Sequence, residues 1–144
     1  MSAVQTADHI MMVEPVSFCA NPQTLESNAF QHEGEGNGEA EAARQEARNL
    51  RNLLVQRGVM VTGVRGHEQS PDDLFCNNWV STHQNGRMVL YPMAVPNRRL
   101  ERRPELIKIL KQSYPDIWDF TAAETKGKAL ESTGSLILDR INRI

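Results

Sequence analysis

The chain has 144 residues, is 40% hydrophobic and 24% charged, and carries a formal net charge of −2. That length holds one compact domain with a core but hardly two, and the near-neutral balance gives no electrostatic case for nucleic acid or an anionic membrane. No apolar run approaches the roughly 20 residues of a membrane-spanning helix. The opening "MSAVQTADHIMMVEP" lacks the basic start and long apolar stretch of a secretory leader, so a cytoplasmic protein is expected. Cys19 and Cys76 lie far apart and match no metal spacing, which reads as two free thiols.

The first expected element is a buried strand in "DHIMMVEP", Asp8 to Pro15, stopped by its proline. A loop dense in Asn, Gly and Glu follows, with a flexible stretch near 31–38. Its Gly34, Gly36 and Gly38 alternate with acids and asparagine, and Glu33 and Glu35 argue against a phosphate cradle. From Glu39 the spacing of Ala40, Ala43, Ala47, Leu50 and Leu54 predicts an amphipathic helix. Glu39 and Glu41 suit its first turn, and Gly58 is placed to cap its end. "VMVTGV", Val59 to Val64, predicts a β-branched strand directly after it.

Farther on, "WVSTHQ" and "RMVLY" flank Asn85-Gly86, a strong hairpin signal because both residues tolerate positive φ. "RRLERRPELIKILKQSY" predicts a helix with Pro104 in its first turn and Leu106, Ile107 and Leu110 on its buried face. "PDIWDF" predicts a further short strand, and "SLILD" a strand behind a Thr133-Gly134 turn. The second portion thus reads hairpin, helix, strand, and the first is a looser version of that order, as in a repeated α/β architecture.

The polar residues of interest cluster in two places. In "DLFCNNW", Asn77 and Asn78 are poor strand formers at a strand entrance. Either they close a turn while Phe75 and Trp79 enter the core, or their amides meet a polar ligand. Asp72 and Asp73 are loop acids or contacts for a cationic group. In "LESTGS", Glu131 either faces water at a strand end or offers a bidentate carboxylate to a flat set of N–H donors. His9, His32, His67 and His83 share no metal-like spacing. His83, on the hairpin after the Asn pair, is a solvated strand residue or a site residue. Cys76 reads as a packing thiol, for nothing nearby supplies a base. The four arginines of "NRRLERR" read as a solvated face with Glu101 and Glu105, and Met11, Met12, Met88 and Met93 as gap fillers.

Taken in order, "QTADHIMMVEPVSF", "SNAFQ", "PDDLFCNNWVSTHQNGRMVLYPMAVPNRRLERR" and "LESTGSLILDR" resemble the amidinotransferase-like citrulline hydrolases of the guanidino-group-modifying (pentein) superfamily. The long central run carries most of the resemblance. It implies an α/β fold, a five-bladed propeller of ββαβ-type units, of which residues 1–144 would be the N-terminal half. It implies attack of a cysteine thiolate on an amidino or ureido carbon, a histidine acting as general acid and base, and no metal or organic cofactor. Family members run to about twice this length, so the resemblance places that cysteine and histidine outside the chain and leaves these residues inactive alone.

Within the chain, the resemblance assigns the substrate's planar nitrogens to Glu131 and its polar end to Asn77 and Asn78. Asp73 and Phe75 join them as candidate substrate contacts, and Glu131 and His83 are the candidates for a catalytic role. Arginine deiminases carry an aspartate where Asn78 falls; an amide suits a neutral ureido oxygen, which favours citrulline over arginine. Two further expectations stand beside this one: an arginine deiminase or amidinotransferase specificity, and an inactive half-propeller that binds a ligand or partner chain. The expected partners are a small ureido or guanidino compound and, through unpaired strand edges, a second copy or a complementary half. The family usually reads "LEGTGS", where this chain has Ser132.

Overall fold

The computed structural model describes residues 7–26, 28, 29, 31, 38–137 and 139. Most of the expected flexible stretch near 31–38, and His32 with it, lies outside the described residues. The chain divides into two compact units, with the boundary between Leu74 and Phe75.

The first unit is a β-helix-β crossover. Strand β1 (His9–Glu14) and strand β2 (Met60–Arg65) pair in parallel, from His9 opposite Met60 to Glu14 opposite Arg65. Parallel neighbours need a long connection, and helix α1 (Glu39–Gln56) supplies it. Glu39 and Glu41 occupy its first turn, where their charge suits the exposed N–H groups. Its end is a Schellman closure: Gly58 takes φ 85°, its N–H meets the Val55 carbonyl at 3.0 Å, and the Val59 N–H meets that of Leu54 at 3.0 Å. The expected cap is therefore present. No α1 side chain is fully buried, and Glu14 and Arg48 tie helix to strand through a 2.7 Å ion pair.

The second unit adds a hairpin to the same order. After a 3-10 turn at Cys76–Asn78, strands β3 (Val80–His83) and β4 (Arg87–Leu90) pair antiparallel. With His83 opposite Arg87, the hairpin loop has three residues, and its last, Gly86, takes φ 75°. The short helix α2 (Pro96–Arg99) and helix α3 (Pro104–Lys111) then lead to strand β5 (Asp116–Asp119), parallel to β4. Both helices begin on a proline, whose missing N–H costs nothing there. Trp79, Met88, Met93 and Leu106, each at most 2% exposed, form the centre of the unit's core. The methionines fill gaps here as expected.

Two expectations about this unit fail. The expected Thr133-Gly134 turn is one helical turn, α4 (Ser132–Ser135), which takes in the first residue of the strand expected in "SLILD", and none of the described residues of that stretch lies in a strand. The Ser135 and Leu136 N–H groups close onto the Glu131 and Ser132 carbonyls, so the small polar residues satisfy their own backbone locally. Leu136 is extended but joins no ladder, Ile137 is exposed, and Leu138 lies outside the described residues. Phe75 does not enter the core beside Trp79. The residue is 43% exposed, because the 3-10 turn sends only Trp79 inward.

Candidate functional site

The candidate residues gather where the Cys76–Asn78 turn meets α4. Asn77 and Thr133 lock the two segments together. The Asn77 Nδ2 donates to Thr133 Oγ1, and Thr133 Oγ1 donates to the Asn77 carbonyl at 3.1 Å. Beside them, the flank of Gly134 lies against Asn78. A Cβ on Gly134 would stand 3.0 Å from Asn78 Nδ2 and 3.5 Å from the Glu131 Cβ. The helical backbone at 134 tolerates any residue, so glycine is needed here for close approach and not for conformation.

Arg98, only 6% exposed, is the hub of this cluster. Its Nη1 donates to Glu131 Oε2 at 3.2 Å. Its Nη2 donates to Asn78 Oδ1 at 3.1 Å and to the Phe75 carbonyl at 3.4 Å. Glu101, with no exposed surface, accepts from Nε at 2.8 Å and from Nη2 at 3.2 Å. The bidentate pair satisfies two charges that burial would otherwise penalise heavily. The other Glu131 oxygen, Oε1, accepts the Ala94 N–H at 3.0 Å. Asn78 and Glu131 are thereby drawn to adjacent nitrogens of one guanidinium.

A second network holds the strap that carries Ala94. Glu124 accepts the Met93 N–H at 2.7 Å and pairs with Arg102 at 2.7 Å and Arg99 at 3.5 Å. Arg102 donates to the Tyr91 carbonyl, and Arg99 to those of Met93 and Ala94. The expected solvated arginine face is thus corrected. Arg98 is buried and Arg102 nearly so, because their donors serve buried carboxylates and backbone carbonyls. Sequence reading gave Arg98 and Glu101 only a place on a solvated face and passed over Glu124; the i, i+3 spacing of Arg98 and Glu101 was the available signal.

The remaining candidates have other surroundings among the bonds described. His83 is at the far end of β3 from the Asn turn, about 10 Å beyond Val80 at roughly 3.3 Å per residue. Its Nε2 meets Ser81 Oγ at 3.0 Å, and the same hydroxyl meets Tyr91 Oη at 2.9 Å. Asp73 belongs to the first unit, where it is 1% exposed and accepts the His67 N–H. Its neighbour Asp72 accepts from the buried Asn21 amide at 2.6 Å. Cys76, in the turn itself, is half-buried and Cys19 exposed, and neither forms a disulfide among the described residues. Among the described residues, no group of three or more His, Cys, Asp or Glu could hold a metal ion, and no helix is long and apolar enough to cross a membrane.

Two fully buried polar atoms near the cluster, Ser132 Oγ and Trp79 Nε1, meet no hydrogen-bond partner among the described residues. Asn78 is only half-buried. Because a guanidinium only donates, the Asn78 atom that faces Arg98 is the oxygen, and its NH2 group points away. The cluster therefore presents a carboxylate acceptor and an amide donor side by side. That is binding and orienting chemistry for a flat group carrying both N–H and C=O.

The fold is shared with solved structures. A variant dimethylarginine dimethylaminohydrolase, crystallised as its adduct with S-methyl-L-thiocitrulline, matches with a TM-score of 0.67 at 17% identity, over 93% of this chain and 48% of that one. The dimethylarginine dimethylaminohydrolase of Pseudomonas aeruginosa in complex with citrulline gives 0.61 at 20% identity, over 91% and 47%. ArgZ, a cyanobacterial arginine dihydrolase, gives 0.66 at 18% identity, over 94% and 19%. The chain thus spans about half the length of the dimethylarginine dimethylaminohydrolases that it matches. Among curated proteins no relative matches. In sequence, residues 14–144 match the family model described as N,N dimethylarginine dimethylhydrolase, eukaryotic. The chain belongs to that family, within the guanidino-group-modifying superfamily that the sequence resemblance named.

Proposed function

We infer that this chain supplies the ligand-recognising part of a hydrolase of C–N bonds in citrulline or a related ureido or guanidino compound. It stands for the N-terminal half of a five-bladed propeller, in which a cysteine nucleophile and a histidine general acid and base come from residues beyond these 144. Reaction would pass through a tetrahedral adduct of the thiol on the ureido carbon, release ammonia or an amine, and end with water clearing the adduct. The chain's own share is to hold the substrate's flat end. Glu131 accepts its N–H groups, and the NH2 of Asn78 donates to its oxygen, while Asn77 and Phe75 frame the turn.

The observation that carries this reading is the joint attachment of Asn78 and Glu131 to Arg98, which sets an acceptor and a donor next to each other. Glu131 keeps two of its four acceptor positions after Arg98 and Ala94 are served. An amide donor at 78 suits a neutral ureido oxygen, which supports citrulline over arginine. His83 and Asp73 are kept as lesser candidates, since neither is joined to Arg98 by a hydrogen bond described above. The family match favours a hydrolase over a pure binding module. A cytoplasmic setting, a half-propeller that pairs with a complementary half, and freedom from metal or organic cofactors remain part of the proposal.

Calorimetry tests it. Citrulline is expected to bind the chain with measurable heat, and Glu131→Gln to weaken that binding at least about tenfold, as expected for loss of a charge-assisted contact. Silence with citrulline and arginine alike, or undiminished binding by Glu131→Gln, would remove the proposed site.

A further inference from the structure

We propose that Arg98, clamped by Glu101, is a positioning residue that fixes the Asn78 amide with its NH2 toward the ligand and so selects an acceptor-bearing ureido end over an all-donor guanidinium end. This rests on the reading above and deepens it.

The argument starts from hydrogen-bond arithmetic. A guanidinium has five donors and no acceptor. Asn78 cannot flip without setting its N–H against Nη2, which already lies 3.1 Å from the oxygen. Asn78 Nδ2 meets no acceptor among the described residues and lies against the Cα flank of Gly134, 3.0 Å from where a Cβ would stand, so this half of the amide is a donor left for a ligand seated beside that glycine. The guanidinium cannot swing aside, because Glu101 holds it by two bonds and is fully buried. The Phe75 carbonyl fixes the near end of the same turn on the same Nη2.

Charge alone would favour a cationic guanidinium, so the selection rests on the donor of the Asn78 amide. Arg98 contributes +1 and Glu101 and Glu131 each −1, so the cluster keeps one net negative charge, and Glu101 rather than a ligand neutralises Arg98. Glu131 still accepts N–H groups from either ligand class. Only the neighbouring position discriminates: a ureido oxygen satisfies Nδ2, whereas a guanidinium N–H opposes it. An unsatisfied donor pair at a partly dry contact lowers affinity by about tenfold or more. Lysine at 98 would keep the charge but not the plane, which frees the amide to turn over.

The test measures the ratio of citrulline to arginine affinity by calorimetry on the 144-residue chain. The unaltered chain is expected to favour citrulline by about tenfold. Arg98→Lys should bring the ratio within about threefold while citrulline still binds, and Asn78→Asp should reverse it. Should Arg98→Lys fail to fold, Glu101→Gln loosens the same clamp and should also shrink the ratio. An Arg98→Lys or Glu101→Gln protein that binds both ligands more weakly at an unchanged ratio would make Arg98 merely structural, and the ligand site itself would stand. An Asn78→Asp protein that still prefers citrulline would overturn the selection outright. Failure of the unaltered chain to bind either compound would instead overturn the site reading, and this inference with it.

Discussion

The two units contain the same parallel crossover, yet they bury their side chains very differently. In the first, one helix over two strands leaves Leu50, Leu53, Val55 and Met60 about half exposed or more, and Val13 is the one hydrophobic residue buried there among the described residues. In the second, one more strand and a short helix enclose Trp79, Val80, Met88, Val89, Leu90, Tyr91, Met93 and Leu106. The same unit places an arginine and a glutamate out of water, where they must find each other. A hairpin added to a crossover therefore does two things at once. It supplies core, and it supplies a dry place in which polar groups hold fixed directions.

That contrast can be broken most severely at Arg98. Arg98→Met leaves Glu101 buried without its guanidinium, and should destabilise the second unit by about 3–5 kcal/mol, read from denaturant unfolding. A loss below about 1 kcal/mol would mean that the buried pair is not what holds the cluster. Next come matched truncations in the two units. Met88→Ala, in the second, is expected to cost about 2–5 kcal/mol, and Leu50→Ala, on the half-exposed face of α1, at most about 1 kcal/mol. Equal losses would erase the difference between the units. Gly58→Ala puts a Cβ on a backbone at φ 85° and should cost about 1 kcal/mol, a local stake of the first unit. The smallest effect is at Ser132. Its buried hydroxyl has no partner among the described residues, so Ser132→Ala should be neutral or raise stability by up to about 1 kcal/mol. A clear loss would mean that the hydroxyl has a partner after all.

Much of this architecture was legible because its signals are local. The spacing of Ala40, Ala43 and Ala47, the glycine after α1, the Asn-Gly turn and the proline at α3 each act within a few residues. The site was legible only in part. The Asn pair and Glu131 stood out as polar residues in poor places for polarity, and the fold joins Asn78 and Glu131 on Arg98. Arg98 itself did not stand out. Four arginines interleaved with glutamates look like a wet surface, and burial of Arg98 and Glu101 depends on Phe75, Asn78 and Glu131, far away in sequence. Phe75 was expected either inside with Trp79 or as a substrate contact, and the 3-10 turn buries Trp79 while leaving Phe75 exposed. Ser132–Ser135 was expected as a turn into a strand, and local carbonyl acceptors closed it into α4 instead.

The most direct test of the central claim is a citrulline titration of the 15N-labelled chain followed by NMR. The side-chain NH2 of Asn78 and the backbone amides of Ser132 and Gly134 should move together and saturate at one concentration. Shifts that spare those three groups, or that gather instead on β1 and α1, would contradict the account.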